Sequence, residues 1–489
     1  MLDPESAGTI LAFDQERRLL SEEWARDQSV RNIQRHLSVA VTLREEISIQ
    51  QIETALNHVV AGHKPLRSTF AAVPGASSLH RSRIVADSYH SGVSIGGLHH
   101  VKCQSEAAIT VTEATVHPTD SLIDAVHRES ETPFDLGSAP MLRGAVLKNE
   151  SDRLLILTAD ALVVDWASMS SLLLELRAEV CGHERQPKSQ PQRAHRPPSV
   201  LQYREALTHW KTEWKELGLR LLDSEDFPYA LPESFFGGPL RGTARLVLGQ
   251  GLSEGLRRLT DRNGRGLTCT ILTAYAIALQ HATQRTTFSI WTDFRQPAGG
   301  IGPYSHSHAV TLAPAEADCF DEVATSVQSS IEAVRRFQHI PLDLVWRSVE
   351  KCPVPKTGQV SFQHVELRGD KTVGDIGSDA WPLSDTDPRM SLLLRSYDNG
   401  LNIGLCANYA APRFRAESIR ALLAAAHDVL ALAVDQNDGL ASTSVPSMRS
   451  TSGAPERCYL CSRARARGQH QTNSKQGCDT LDSVFAFRL

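Results

Sequence analysis

Residues 182–199 read Gly-His-Glu-Arg-Gln-Pro-Lys-Ser-Gln-Pro-Gln-Arg-Ala-His-Arg-Pro-Pro-Ser, with four prolines, four Arg or Lys and no aliphatic side chain beyond Ala194. Proline fixes its own φ and offers no backbone donor, so neither a helix nor a sheet strand runs through such a stretch. It reads as a linker that divides the 489-residue chain. Each flanking part is long enough to bury a core of its own. The expected organisation is a first lobe over 1–181, a Pro-rich linker over 182–199, a second lobe over 200–436 and a disordered tail over 437–489. The tail is rich in Ser, Thr, Gly and Arg and ends in the one apolar run Val484-Phe485-Ala486-Phe487.

Hydrophobic periodicity gives both lobes an α/β character. Arg35–Leu43 reads as a strand, and Ile52, Leu56, Val59 and Val60 then fall on one helical face. Met141–Leu147 and Leu154–Ala159 are short apolar runs joined by a polar turn, which predicts two paired strands. Ser168 is a plausible N-cap for a helix carrying Leu172, Leu173, Leu176 and Val180, which leaves Asp160–Ala167 as a loop between strand and helix. Beyond the linker, Tyr203–Leu219, the nearly all-apolar Thr268–Leu279 and Ile419–Val434 predict further helices.

Lys and Arg total 51 against 56 Asp and Glu, a net charge of -5, so no global basic field calls for nucleic acid. Nine cysteines, mostly isolated among apolar neighbours, read as reduced thiols and point to a cytoplasmic chain. No signal sequence is read at Met1–Ile10, and Leu154–Val164 is far too short and polar for a membrane span. Gly-x-Ser-x-Gly, phosphate-loop and dinucleotide patterns are absent from the sequence, which removes support for hydrolase and nucleotide-dependent chemistry.

Several segments, in order, resemble the condensation domains of nonribosomal peptide synthetases. Phe13-Asp14-Gln15-Glu16-Arg17 is similar to that family's opening Ala-Gln-x-Arg, and Gly62-His63-Lys64-Pro65-Leu66-Arg67-Ser68-Thr69-Phe70 to its Arg-His-x-x-Leu-Arg-Thr-x-Phe turn. Pro133-Phe134-Asp135-Leu136 through Pro140-Met141-Leu142-Arg143 resembles Pro-Phe-Asp-Leu-x-x-x-Pro-Leu-x-Arg, the most specific of the matches. Ile301-Gly302-Pro303-Tyr304 and Phe337–Asp343 continue the series, and Cys406–Tyr409 with the helix at Ile419 closes it. The resemblance implies two chloramphenicol-acetyltransferase-like lobes forming a V with a tunnel between them.

In that family a His-His-x-x-x-Asp-Gly loop carries the chemistry, its second His acting on an amine that attacks a carrier-bound thioester. Here the loop is Asp160-Ala161-Leu162-Val163-Val164-Asp165-Trp166, followed by Ala167 and Ser168. Both histidines are gone, and Asp165 and Ser168 remain. Ala161 neither accepts a proton nor makes a hydrogen bond, and loss of a general base costs roughly 10²- to 10⁴-fold. Trp166 puts an indole where the family has Gly, which narrows or shuts the tunnel. The resemblance also makes Asp165 a structural partner of Arg143, so a buried Asp165–Arg143 ion pair is expected.

Two residues are candidate replacements for the lost base. Asp160, flanked by apolar side chains, reads either as a base with a raised pKa or as a polar loop residue bonded to backbone amides, and the second reading is preferred. His306 and His308 alternate on one strand face beside Tyr304, where the resemblance puts the tunnel wall; they read either as ordinary strand histidines, the preferred reading, or with His308 as the second catalytic candidate and Tyr304 and His306 as tunnel-lining. Two histidines without a third ligand do not make a metal site. Cys458, Cys461, Cys478 and His470 form a weak zinc pattern in the tail, read as incidental.

The sequence therefore predicts a free-standing condensation-type protein without a cofactor, its acyl donor carried as a phosphopantetheine thioester on a separate carrier protein. Adenylation or peptide synthetase enzymes of the pathway are the expected partners. Two functions follow: joining that acyl group to an amine or hydroxyl without the usual His, or docking carrier and partner enzymes without catalysis. A coenzyme-A-dependent acyltransferase is a weaker third and lacks the same His.

Overall fold

The structure, a computed structural model, describes residues 9–10, 15, 18–19, 35–72, 99–116, 122–149, 152–182, 199–213, 221–228, 230, 242–295, 300–314, 319–340, 359–367, 380–383 and 390–437. Most of the linker, the tail with its Cys458, Cys461, Cys478 and His470, and most of Phe13–Arg17 lie outside them.

In the first lobe, β1 (Thr9–Ile10), β3 (Ser68–Ala72) and β4 (His99–Cys103) form a small sheet. The main sheet holds β2 (His36–Thr42), β5 (Thr112–Thr115), β6 (Leu142–Lys148) and β7 (Arg153–Asp160). β2 and β6 flank β7 antiparallel, and β5 adds to β6 in parallel. Helix α1 (Ile49–Gly62) begins at a capping box in which Ser48 and Gln51 satisfy each other's backbone amides. It buries Ile52, Ala55, Leu56, Val59 and Val60. Gly144 lets it approach the sheet, since a Cβ there would sit 2.7 Å from the Leu56 side chain. α2 (Leu122–Glu131) packs on β2, β6 and β7, and α3 (Trp166–Val180) lies beside α1.

The second lobe runs α4 (Val200–Lys211), β8 (Gly242–Val247), α5 (Gln250–Asn263), α6 (Leu267–Thr283), β9 (Phe288–Arg295), β10 (Ser305–Leu312), α7 (Phe320–Arg335), β11 (Gln359–Glu366), β12 (Trp381–Pro382), β13 (Met390–Asp398), β14 (Ile403–Tyr409) and α8 (Ala416–Asn437). Its six-stranded sheet has the order β10-β9-β11-β13-β14-β8. α6 is apolar on nearly all sides because it is enclosed by α5, α7, α8 and β11. Among the described residues no helix is long and apolar enough to cross a membrane.

A division at the linker leaves out one crossover. β12 leaves the second lobe and pairs with β2, placing Trp381 opposite Ala40 and Pro382 opposite Val39. β2 would otherwise present an open edge, and a proline is tolerated on an edge strand. Arg245 of β8 fixes the crossing strand, its guanidinium 4.7 Å from the Trp381 ring and 5.3 Å from that of Tyr397. Arg245 Nε also donates to the Tyr397 hydroxyl at 2.8 Å.

Because this stack ties the crossover to the second sheet, Trp381→Ala is expected to lower unfolding free energy by about 1–3 kcal/mol. Denaturant midpoints check this against Leu401→Ala, an exposed turn position expected to change stability by less than about 0.5 kcal/mol.

Candidate functional site

The loop begins one residue later than the sequence pattern places it, because Asp160 still belongs to β7, opposite His36 of β2. The Asp160 carbonyl accepts from Val163 N at 3.0 Å, and its Oδ1 accepts from Leu162 N at 2.7 Å. That is a side-chain-closed turn, the backbone-bonding role open to a short acid at a strand end. The next four side chains, Ala161, Leu162, Val163 and Val164, are all buried in the first-lobe core. Asp165 then takes extended backbone and accepts from Ser168 N at 2.7 Å, so α3 starts at Trp166. The N-cap is Asp165 and not Ser168; a carboxylate is the stronger partner for the positive end of a helix.

The expected Asp165–Arg143 pair does not form. Asp165 Oδ2 lies 3.3 Å from Arg295 Nε at the end of β9 and accepts from Ser305 Oγ of β10 at 3.0 Å. Arg143 instead donates to the Glu129 carbonyl at 2.9 Å, pairs with the Glu129 carboxylate at 3.7 Å and covers the Phe134 ring at 4.5 Å. The reason is register. Arg143 faces Thr158 across the β6–β7 ladder, so its nearest aspartate is Asp160 at the end of that strand, whereas Asp165 has turned away into the helix cap.

Asp160 is fully buried, at 0% exposure. Burial pushes its carboxyl up to about 6, against the lowering pull of the Leu162 amide and of Arg18 and Arg143. Its Oδ2 makes no hydrogen bond among the described residues. Arg18 and Gln15, from the N-terminal segment, donate to the carbonyls of Ala161 and Leu162 and cover the loop. The enclosure and the Leu162 bond favour the turn-closing reading of Asp160 over the replacement-base one.

His306 and His308 share one face of β10, and it is the face turned away from the loop. Ser305 and Ser307, which alternate with them, bond Asp165 and Asp293 on the side toward the first lobe. Both histidines are buried in the second lobe, His308 edge-on to Phe294 at 5.8 Å and His306 beside His339. The catalytic reading of His308 and the tunnel-lining reading of His306 are corrected accordingly. Tyr304 does stand at the loop: Arg295 lies 5.8 Å above its ring, and burial together with Asp165 raises its phenol pKa. Gly302 is required beside it, because a Cβ would meet the Tyr304 ring at 2.4 Å.

The sequence reading matched Gly302 to a family segment without its contact to the loop, and passed over Arg295 and Arg395. Gly302 accepts from Asp165 N at 3.1 Å and exchanges hydrogen bonds with Ser168 Oγ, 2.9 Å from its carbonyl and 3.0 Å from its amide. Trp166, 8% exposed, lies over the guanidinium of Arg395 at 4.7 Å. Arg395 of β13 is itself fully buried and donates to the Leu383 carbonyl at 2.7 Å and to Gln363 Oε1 at 3.1 Å. Gln363 donates on to Asp293 at 2.6 Å, and Asp293 faces Arg35 at 3.6 Å. An Arg directly after the apolar run Leu392–Leu394, within the same strand, was the visible signal, since a buried charge demands partners. Among the described residues no cluster of three or more His, Cys, Asp or Glu is placed to hold a metal ion.

Asp160 supplies a pH test. Its carboxyl sits higher in the folded chain than its ordinary 3.8, so the native state favours the protonated form. That contribution is complete below the ordinary value and is lost as pH rises through about 6. Asp160→Asn keeps the acceptor for Leu162 N without the charge, and is expected to match the wild type near pH 4 and exceed it by about 1–3 kcal/mol above pH 7. Unfolding midpoints across that range check it.

No family model matches the chain. Tyrocidine synthase 3 of Brevibacillus parabrevis is 22% identical over 478 residues, 92% of this chain and 7% of that protein. The chain spans a tenth or less of the length of the first curated relatives it matches. The first condensation domain of the calcium-dependent antibiotic synthetase, solved with a substrate analogue, superposes with a TM-score of 0.65 at 14% identity, covering 88% of this chain and 97% of that one. The X-domain from teicoplanin biosynthesis, solved in complex with OxyB, gives 0.57 at 18% identity over 89% and 95%. The chain therefore has the two-lobed condensation-domain fold, and its sequence relatives are nonribosomal peptide synthetases.

Proposed function

We propose that this chain is a non-catalytic condensation-like module that docks a carrier protein or partner enzyme of nonribosomal peptide synthesis. The observation that carries the reading is the state of the loop: Ala161 has no group to move a proton, and the neighbouring Asp160 carboxyl is enclosed and tied to the Leu162 amide. Amide formation needs the attacking ammonium deprotonated at a position the substrate reaches. Neither residue provides that. The X-domain complex with OxyB supports the reading, as a case of the same fold holding another protein.

The competing reading is an enzyme that joins a carrier-bound acyl thioester to an amine or hydroxyl by positioning, with Asp160 or His308 assisting, and the raised Asp160 carboxyl is the observation in its favour. Intact-mass assays separate the two. Carrier-loaded or coenzyme-A-linked acyl donor is incubated with candidate amines and wild type, Asp160→Ala, His308→Ala or no protein. The docking reading expects product at the no-protein level throughout, with carrier or partner binding retained by the wild type. Turnover by the wild type that falls about 10²-fold or more in Asp160→Ala overturns it and makes that carboxyl the base.

A further inference from the structure

We infer that the segment Asp160–Ser168 is a clamp between the lobes, with the Trp166 indole on Arg395 as its pin. The inference goes beyond the docking reading and does not depend on it. Three ties leave this one segment for the second lobe. Asp165 reaches β9 and β10 through Arg295 and Ser305, while its backbone amide donates to Gly302. Ser168 and Gly302 exchange hydrogen bonds in both directions. Trp166 covers Arg395, which leads through Gln363 and Asp293 to Arg35. The Arg35 carbonyl accepts from Ala161 N at 2.9 Å, so this last path returns to the segment it left.

A closed circuit of this kind resists separation more than the same contacts made singly. Moving the lobes apart takes the second-lobe partners from Asp165 and Ser168 and the stack from Arg395 together, and each is a polar group buried to 5% exposure or less. A cation–π stack gains strength when it is desolvated, and the Arg395 guanidinium is held in register by acceptors on β11, on β14 and at the Leu383 carbonyl beside the crossover strand. Glycine at position 166 would remove the stack and leave the other ties. The side chain that fills the loop therefore supplies the contact that completes the circuit. Farther out, Ser170 Oγ donates to the Glu366 carbonyl and Thr243 meets His127 at 3.4 Å, continuing the seam on both sides.

Amide hydrogen exchange followed by mass spectrometry tests the clamp, using the whole chain with Trp166→Gly and the milder Ser305→Ala. Peptides covering 163–169 and 300–305 report on the Asp165 and Gly302 amides, and peptides from β13 and β14 report on the second-lobe core. Expected is exchange about tenfold faster at the two clamp peptides in Trp166→Gly and about threefold faster in Ser305→Ala, with the core unchanged in Ser305→Ala. Wild-type exchange at both clamp peptides in both variants overturns the clamp. So does acceleration spread evenly over clamp and core in Ser305→Ala, because the loop would then contribute to general stability and not to the relation between lobes.

Discussion

One carboxylate, that of Asp165, joins the two halves of this molecule. It caps α3 through the Ser168 amide, pairs with Arg295 and accepts from Ser305. An N-cap contributes about 1 kcal/mol by itself. Here the cap is buried, so the charge must also be compensated, and the compensation comes from the other lobe. Local helix initiation and interlobe geometry thus rest on the same two oxygen atoms. Gly302 stands at the same junction: its backbone exchanges hydrogen bonds with Ser168, and a Cβ there would run into the Tyr304 ring.

The same geometry explains why the loop offers so little chemistry. A catalytic loop at this place must hold a proton-accepting group open to substrate. Asp160 instead satisfies the Leu162 amide from a fully enclosed position, and Ala161 through Val164 are packed as core. The Coulombic setting is that of a structural acid: Arg18 and Arg143 offset part of the burial penalty without cancelling it. A raised carboxyl pKa marks functional sites and strained interiors alike, and enclosure is the observation that supports the structural reading.

Much of both lobes was legible because the signals are local. The Ile52–Val60 stripe, the paired apolar runs on either side of residue 150 and the enclosed helix over Thr268–Leu279 follow from periodicity, and the ordered motif series pointed to the fold. Contacts set by register were less legible. Ser168 looked like a cap because Ser is a common one, but Asp165 stands three residues earlier, where its carboxylate reaches the Ser168 amide. Arg143 and Asp165 looked paired by resemblance, whereas the β6–β7 ladder puts Arg143 by Asp160. Alternation correctly put His306 and His308 on one face, but the choice between faces is made by which neighbours meet the first lobe, and Ser305 and Ser307 do. The crossover of β12 depends on a distant edge of β2, which no local pattern in Trp381-Pro382 announces.

Rigidity between lobes bears directly on docking. A partner that binds across two mobile lobes must spend part of its interaction free energy fixing them, as any ordering on association does. On the docking reading, lobes already tied by Asp165, Ser168 and Trp166 would meet that cost during folding. A catalytic loop has to leave room for substrate; a scaffold has no such need. On the docking reading, the indole at position 166 serves a fixed platform, because the one side chain that occupies the end of the loop also rests on Arg395.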